Sequence, residues 1–295
     1  YGNIGVAVIS MALNADDDSW LVTETSSFQL ETTKNFRPEM SAILNLTSDH
    51  MDRHKNMENY GSAKAKVFAN QTADQYLIIN FDDPECVKLA KTAAARVVPF
   101  SRKKELDFGV FVKDGMIVVR NEAGQRIEIC ATSELRIPGA HNVENALAAV
   151  GISFFSGIEP EIIAETLRSF LGVEHRLEYV DTIDGVRFVN DSKGTNPESS
   201  IKAVEAIDTP ILLIAGGYDK GSEFDALIEA FGGKVKQLLL MGKTAGKIKE
   251  TAEKHGFTDI VMCKDLEECV RKGFKAAVPG DTVLLSPACA SWDLY

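Results

Sequence analysis

Short apolar runs alternate with helix-like patterns along most of the chain, and this alternation restricts the possible folds more than any other feature. It is typical of parallel β-sheets whose faces are covered by helices. In the first half, the sequence predicts buried strands at residues 20–24, 42–46 and 76–80 and a helix at residues 56–72. The predicted fold class is therefore α/β.

The pattern changes between residues 109 and 131, which are rich in Val and Ile. Two turn signals interrupt this region, Lys113-Asp114-Gly115 and Asn121-Glu122-Ala123-Gly124. We therefore predict antiparallel hairpins there. Helices at residues 142–154 and 160–170 are predicted to follow.

Alternating strands and helices begin again after Gly172, where a hairpin around Asp184 opens a second series. This series has the pattern of an open α/β domain of Rossmann type. We predict a domain boundary near Gly172, with domains at residues 1–172 and 173–295. The predicted elements of the second domain are strands 186–189, 211–215, 237–241, 260–262 and 282–285 and helices 197–206, 223–231, 244–255 and 266–277.

The composition excludes several classes of protein. The chain has 295 residues and a formal net charge of -11, which argues against general nucleic-acid binding because phosphate backbones attract an excess of Lys and Arg. No apolar run approaches the ~20 residues of a membrane helix, and no secretory signal is visible. The five cysteines are scattered without a CxxC pair, which fits reduced thiols and no zinc site. We expect a cytoplasmic protein without nucleic-acid or membrane partners.

Lys64 has an unusual position in the predicted helix 56–72. Tyr60 lies four residues before it and Phe68 four residues after it, so the three share one face, whereas Lys66 is expected to point towards water. A lysine on a core-facing stripe must extend its amine to the surface, find a counter-charge or change its charge state. Two interpretations remain open, an ordinary lysine and one that is modified or belongs to a metal site.

Two predicted strands of the first domain end near potential metal ligands. Glu24 closes the first strand, and Asp49-His50-Met51-Asp52-Arg53-His54 follows the second. Carboxylates and imidazoles at neighbouring strand ends suit a divalent cation, although each alone is more often a solvated side chain. Farther on, Asn142 is predicted to be the N-cap of a helix, and capping is enough to explain an asparagine there. Capping does not explain Asn145, which lies one turn later.

Polar loops follow the predicted strands of the second domain, where open α/β sheets bind ligands. These loops are residues 190–196, 216–222, 242–244 and 286–291, and they are rich in Asp, Lys, Ser, Thr and Gly. Such residues hold anionic ligands. The Gly-rich stretch at 216–221 lacks the GxxxxGK[ST] spacing, so an ordinary Gly-rich turn remains an open alternative to a phosphate cradle.

The motifs, taken in order along essentially the whole chain, resemble those of the Mur ligases and, among them, of the D-glutamate-adding enzymes. Two stretches make the resemblance specific, Asn190-Asp191-Ser192-Lys193-Gly194-Thr195-Asn196 and Ser286-Pro287-Ala288-Cys289-Ala290-Ser291. The other matching motifs are Gly2-Asn3-Ile4-Gly5, the stretch from Glu24 to Glu31, the stretch from Asp49 to Arg53, the stretch from Pro138 to Ala146, and His175-Arg176.

This resemblance implies a central P-loop-type ATPase domain, incomplete here, followed by a Rossmann-like C-terminal domain. Enzymes of the family phosphorylate a carboxylate with ATP, and the amine of an amino acid then attacks the acyl phosphate. The implied cofactors are ATP and two Mg²⁺ ions. The implied substrates are UDP-N-acetylmuramoyl-L-alanine and D-glutamate, and the implied state is a bacterial, cytoplasmic monomer.

The resemblance also implies roles for individual residues. Glu24, His50 and Lys64 match metal ligands, with Lys64 carbamylated so that a cation becomes an anion, and Asn3 and His50 would border the acceptor carboxylate. The positions that match nucleotide contacts, with Arg176 suited to phosphate and Asp191 to ribose, are Asn145, Arg176, Asp191 and Lys193. The positions that match the D-glutamate pocket are Thr195, Lys220 and Ser291.

The chain begins at Tyr1 rather than Met and stops at Tyr295, so we expect it to be a segment of a longer protein. The family's P-loop and its uridine-diphosphate domain would precede Tyr1, and we expect the 295 residues alone to be inactive or nearly so. Two alternatives remain, a Mur-family ligase for another amino acid and a non-catalytic nucleotide-binding remnant. A GxxxxGK[ST] stretch encoded upstream of Tyr1 would indicate the enzyme, and a start codon at this point would indicate the remnant.

Overall fold

The chain folds into two compact units. The computed structural model describes residues 2–3, 5–12, 14–47, 50–218 and 221–290, with the backbone alone at Asp52. The first unit comprises Tyr1–Glu134 and Val143–Arg168, and the second comprises Leu135–Asn142 and Ser169–Tyr295. The predicted division into domains at residues 1–172 and 173–295, with a boundary near Gly172, remains a prediction.

The first unit is built on a six-stranded sheet. Its elements in chain order are α1 (Val8–Ala12), α2 (Ser27–Glu31), β1 (Met40–Ile43), α3 (Met51–His54), α4 (Met57–Ala65), β2 (Tyr76–Asn80), α5 (Pro84–Ala90), β3 (Arg96–Ser101), β4 (Gly109–Lys113), β5 (Met116–Arg120), β6 (Arg126–Ala131), α6 (Ala140–Phe155) and α7 (Pro160–Ser169). The strands lie side by side in sequence order. β1 to β4 are parallel, whereas β4 to β6 form an antiparallel meander, which confirms the predicted hairpins.

Both faces of the parallel part of this sheet are covered. Leu77 and Ile79 of β2 belong to a buried cluster with Phe68 and with Cys86 of α5. On the opposite face, a Cβ placed at Gly151 of α6 would lie 3.3 Å from Ile78. β2 is therefore apolar on consecutive positions, as is typical of a parallel strand between two layers of helices.

The second unit is built on another six-stranded sheet. Its elements are β7 (Glu178–Ile183), β8 (Val186–Asn190), α8 (Pro197–Ala206), β9 (Ile211–Ala215), α9 (Asp225–Glu229), β10 (Val235–Leu240), α10 (Ala245–Lys254), β11 (Ile260–Met262), α11 (Leu266–Ala276) and β12 (Thr282–Leu285). Their spatial order is β11-β10-β9-β12-β8-β7. All pairs are parallel except β7 with β8.

Helices cover both faces of the second sheet as well. Leu213 of β9 belongs to a buried cluster that includes residues of α8, α9 and α10. Leu212 and Ile214 of the same strand pack in a cluster with Cys269 of α11. Because the strands are parallel, the loops after β8, β9, β10 and β12 emerge at one edge of the sheet, which is where ligands bind in this architecture.

The strand predicted at residues 20–24 is wrong. Glu24 pairs with Gly2 in an isolated parallel bridge, and Trp20 and Val22 are 62% and 78% exposed. Side chains that favour strands form one only when a neighbouring strand offers hydrogen bonds and a covered face. In the described residues this segment forms an isolated bridge rather than a strand.

Other predicted boundaries also differ. The helix predicted at 56–72 ends at Ala65, because the next residues make tighter turns through bonds from Val67 N to Lys64 O and from Phe68 N to Ala65 O. α5 and β3 were not predicted. Asp83 followed by Pro84 is a helix-start signal that could have revealed α5, whereas Pro99 inside β3 argues against a strand.

The described helices are too short to cross a membrane. α6, the longest of them, has 16 residues. None in the described part of the chain has the length and apolar character of a membrane span.

Replacing Asp83 by alanine should destabilise the first unit by about 2 kcal/mol. One carboxylate oxygen accepts from the amides of Glu85 and Cys86, and the other accepts from Leu46 N at 3.0 Å, so the side chain both caps α5 and ties down the loop after β1. Urea denaturation measures the loss. Asp265→Ala is the control. It removes the cap bond to Glu268 N and an exposed ion pair with Lys264, and it should cost about 1 kcal/mol; equal losses would contradict the role assigned to Leu46 N.

Candidate nucleotide and metal sites

Asn3 and Glu24 are held together at one point of the first unit. Asn3 N donates to Glu24 O at 2.8 Å, and Asn3 Nδ2 donates to Glu24 Oε1 at 3.0 Å. Both side chains are exposed. The structure therefore places a predicted acceptor-binding residue directly against a predicted metal ligand.

His50 lies on a separate aromatic stack. It precedes α3 with a left-handed backbone (φ 54°), and its ring meets Phe28 edge-on at 4.9 Å between centroids. Phe28 in turn stacks on His54 at 5.5 Å, with an angle of 8° between the rings. The orientation of His50 is thus set partly by a side chain from α2.

His54 is the buried member of this stack. Its Nε2 lies 3.0 Å from Ser27 Oγ, and its Nδ1 lies 3.4 Å from Glu31 Oε1. The Ser27 hydroxyl and the Glu31 carboxylate thus face the two nitrogens of the ring. These contacts fix the ring on which Phe28 lies.

Lys64 is half-buried near the end of α4, and its Nζ lies 5.1 Å from the centroid of the Tyr60 ring. Tyr60 and Phe68 are buried, as the stripe predicted. The expectation that Lys66 points towards water is wrong, because Lys66 is half-buried and its Nζ donates to Glu31 O. The reason is that α4 ends at Ala65, so Lys66 occupies a turn rather than the outer face of a helix.

Asn145 is exposed on α6. The prediction that Asn142, one turn earlier, is the N-cap of this helix is wrong. The helix already begins at Ala140, Asn142 N donates to Gly139 O, and Asn142 Nδ2 donates to Pro138 O at 2.6 Å. Its side chain thus ties the entry of the helix to the preceding loop.

In the second unit, Arg176 and Lys193 are exposed, whereas Asp191 is 3% exposed. Asp191 Oδ2 accepts from Ser286 Oγ at 2.6 Å, and Oδ1 accepts from Leu177 N at 3.2 Å. Burial raises the pKa of the Asp191 carboxyl above its ordinary value, although the Ser286 hydroxyl, the Leu177 amide and the Arg176 charge each lower it in part. Arg176, Asp191 and Lys193 thus lie in connected loops.

The predicted amino-acid pocket lies only in part within the described residues. Thr195 is half-buried after β8, whereas Lys220 and Ser291 lie outside the described residues. The loops that precede them meet, because Tyr218 N donates to Ala290 O at 2.7 Å and Gly216 N donates to Pro287 O at 2.8 Å. Lys243 places its Nζ 5.4 Å from the centroid of the Tyr218 ring at this edge.

Comparison with protein families identifies both units. Residues 3–153 match the family described as Mur ligase middle domain, and residues 175–289 match the one described as Mur ligase, glutamate ligase domain. The chain belongs to the Mur ligase family. The predicted resemblance and the α/β fold class are therefore confirmed.

Curated relatives of this Mur ligase chain match it along its whole length. It is 53% identical over 296 residues to a UDP-N-acetylmuramoylalanine--D-glutamate ligase from Thermoanaerobacter sp. (strain X514), covering 100% of the chain and 65% of the relative. A protein of the same name from Clostridioides difficile (strain 630) is 47% identical over 294 residues, with 100% and 65% covered. The chain thus spans about 65% of the length of these relatives.

Solved structures show the same fold at low sequence identity. A UDP-N-acetylmuramate-alanine ligase, MurC, from Thermotoga maritima superposes with a TM-score of 0.65 and 18% identity, covering 90% of this chain and 59% of that one. A MurF ligase from Thermotoga maritima in complex with ADP superposes with a TM-score of 0.61 and 17% identity, covering 84% of this chain and 58% of that one.

The predicted metal set of the Mur ligase chain fits Mg²⁺ only under one condition. The described residues contain no group of three or more His, Cys, Asp or Glu side chains that could hold an ion. Mg²⁺ prefers oxygen ligands, and of the predicted set only Glu24 supplies a carboxylate. Lys64 as an ammonium would repel the ion, whereas a carbamate on its Nζ would add two oxygens. The fit therefore depends on modification of Lys64.

A depression of about 340 Å³ lies in the first unit of the Mur ligase chain, lined by Glu31, Arg53, His54, Asn59, Ser62, Ala63 and Lys66. None of the predicted site residues lines it. Arg53 Nη2 lies 2.8 Å from Glu31 Oε2 and holds the pKa of that carboxyl below its usual value. The depression is therefore a polar surface whose charges already pair with each other.

Sequence reasoning assigned no role to Phe28, His54 or Ser286. In the structure Phe28 contacts His50, His54 stacks on Phe28, and Ser286 contacts Asp191. His54 stood in the cluster that follows the second predicted strand, and Ser286 opened one of the polar loops. Their spacing carried no signal of contact, because their partners lie 27 and 95 residues away in sequence.

Proposed function

We propose that the complete gene product is an ATP-dependent ligase that joins D-glutamate to UDP-N-acetylmuramoyl-L-alanine during synthesis of the peptidoglycan precursor. The observation that carries the proposal is 53% identity, over the whole chain, to a relative named for this reaction. The motif that opens with Asn190 and the motif that opens with Ser286 add support. A bacterial cytoplasmic location and a monomeric state are part of the proposal.

The proposed reaction has two steps. An oxygen of the acceptor carboxylate attacks the γ-phosphorus of ATP, so that an acyl phosphate forms and ADP leaves. The amine of D-glutamate then attacks the acyl carbon, an amide bond forms, inorganic phosphate leaves and the amine loses a proton. Positioning and charge compensation carry such phosphoryl transfers, because the protein supplies little covalent chemistry.

Residues of the first unit would prepare the acceptor and the phosphoryl group. Asn3 and His50 border the acceptor carboxylate in this proposal, and the Asn3 amide is oriented by its bond to Glu24. Glu24, His50 and carbamylated Lys64 would hold Mg²⁺, with two ions in all. Bound Mg²⁺ offsets the negative charge of the transferring phosphoryl group.

Residues that follow the strands of the second unit, with Asn145 of the first, would hold ATP and the amino acid. Arg176 suits the phosphates because its guanidinium is a permanent cation with several donors. The set proposed for ATP is Asn145, Arg176, Asp191 and Lys193. The set proposed for D-glutamate is Thr195, Lys220, which would neutralise the side-chain carboxylate, and Ser291.

Release of inorganic phosphate tests this function. The complete gene product is assayed with ATP, Mg²⁺ and UDP-N-acetylmuramoyl-L-alanine, and D-glutamate is compared with L-glutamate and L-lysine. We expect release to depend on D-glutamate. Dependence on L-lysine would assign the protein to another amino acid of the family, and no release with any amino acid would favour a non-catalytic nucleotide-binding protein.

A further inference from the structure

A chain of buried hydroxyls lies behind Asp191 in the second unit. Ser286, directly after β12, places its Oγ 2.6 Å from Asp191 Oδ2 and 2.8 Å from the Oγ of Ser200 on α8. Ser200 Oγ also lies 3.2 Å from Ser286 O. Ser286 and Ser200 are 0% exposed, so water does not compete for these bonds.

The direction of these bonds follows from what each group can donate. A hydroxyl has one proton, and an ionised carboxylate has none. Ser286 Oγ therefore donates to Asp191 Oδ2, and Ser200 Oγ donates to Ser286 O. Each buried hydroxyl thus donates a hydrogen bond, and removing one of them leaves a buried polar group without its partner.

The second oxygen of Asp191 holds the loop that carries Arg176. Leu177 N donates to Asp191 Oδ1, and Lys193 N donates to His175 O at 3.0 Å. His175 and Leu177 have left-handed backbones, with φ of 67° and 45°. Non-glycine residues in this region store strain of about 1–3 kcal/mol each, which surrounding bonds must offset.

Gly194 closes the space around the carboxylate. A Cβ at this position would lie 2.4 Å from Asp191 Oδ2 and 2.7 Å from Ser286 Oγ. Its carbonyl accepts from Ala288 N at 2.8 Å, which joins the loop after β8 to the loop after β12. The carboxylate is therefore enclosed by backbone and hydroxyls in one orientation.

We infer that Ser286, supported by Ser200, is a positioning residue for nucleotide binding: it orients the Asp191 carboxylate, which in turn fixes the strained turn that presents Arg176. This deepens the proposed function and rests on it for the identity of the nucleotide. The positioning itself, from Ser286 through Asp191 to Leu177, is a property of the fold and can be measured without any ligand.

The test compares Ser286→Ala with Thr282→Val in the complete gene product. Thr282 lies at the opposite end of β12, is also buried, and loses a comparable bond, to Thr209 Oγ1 at 2.6 Å. In Ser286→Ala we expect the KM for ATP to rise about tenfold with kcat changed less than about twofold, and amide exchange at Leu177 to accelerate without nucleotide. In Thr282→Val we expect the KM for ATP, kcat and the amide exchange rate at Leu177 to stay at the parent values.

Unchanged exchange at Leu177 in Ser286→Ala would overturn the positioning role, as would an equal change in Thr282→Val. If Ser286→Ala does not fold, Ser200→Ala removes the contacts of Ser200 with Ser286, leaves the bond from Ser286 to Asp191, and should produce a smaller shift of the same kind; no shift in a folded Ser200→Ala would also overturn the positioning role. Faster exchange in a protein that does not bind ATP would refute the proposed function while leaving the positioning intact.

Discussion

Lys64→Ala in the complete gene product is expected to reduce ligation at least about 100-fold, since a preorganised charge at the reacting groups is worth that much or more. Lys64 is half-buried, with its Nζ 5.1 Å from the centroid of the Tyr60 ring. In the proposed enzyme its carbamate adds anionic oxygens to the set formed with Glu24 and His50, since the described residues hold no group of three or more His, Cys, Asp or Glu side chains that could bind an ion.

Added small acids and amines can show whether Lys64 provides a negative or a positive charge. Alanine leaves a space where the side chain lay, and a short carboxylic acid such as formate or acetate can bring oxygens into it. We expect partial rescue of Lys64→Ala by these acids and none by methylamine. Rescue by methylamine alone would mean that Lys64 acts as an ammonium and would exclude the carbamate.

Lys66→Ala is the matched control for this experiment. Lys66 lies two residues later, is also half-buried and donates to the backbone oxygen of Glu31. It takes no part in the proposed chemistry, so its replacement should leave the ligation rate within about twofold of the parent and should not respond to added acids. A comparable loss in both variants would show that the effect is structural.

Gly216→Ala is expected to destabilise the second unit by at least about 3 kcal/mol. Gly216 follows β9 with φ of 111°, and a Cβ there would lie 2.1 Å from Met241 O. Its amide also donates to Pro287 O. The residue sits where the loops after β9, β10 and β12 meet, so neither the backbone of Gly216 nor that of Met241 can move away without breaking these pairings.

Gly246→Ala, in the same unit, is expected to stabilise the protein instead. Gly246 lies in α10, is exposed, and has nothing within 4 Å of an added Cβ. Alanine should therefore raise the free energy of unfolding by about 0.5 kcal/mol through its better helix propensity. Urea denaturation of both variants checks the pair, and a Gly216→Ala protein as stable as the parent would contradict the close approach to Met241.

The second unit was the part most completely predictable. α8, β9, β11 and β12 begin and end at the predicted residues. β9 is buried at every position between two layers of helices, which requires an uninterrupted apolar run that is visible in any single sequence. Asn196 followed by Pro197 marks the start of α8 because both the cap and the first-turn proline act locally.

The first unit was predicted less well because its elements depend on partners. Residues 20–24 have strand-like side chains, yet in the described part of the chain they form an isolated bridge at Glu24 rather than a strand, and β3 carries Pro99, which a local pattern counts against a strand. Lys66 looked solvent-directed under helical periodicity, yet the helix ends one residue before it. In each case a contact distant in sequence overrode the local preference.

Apolar periodicity and motif order are properties of neighbouring positions, so they were enough to predict the α/β class, the family and the candidate residues from Asn3 to Ser291. Three contacts became visible only in the folded chain: His54 supports the Phe28 ring that meets His50, Asn3 bonds to Glu24, and Ser286 bonds to Asp191. These contacts join residues up to 95 positions apart. Burial removes competing water from the hydroxyls around Asp191, and that environment exists only once the strands and helices have packed.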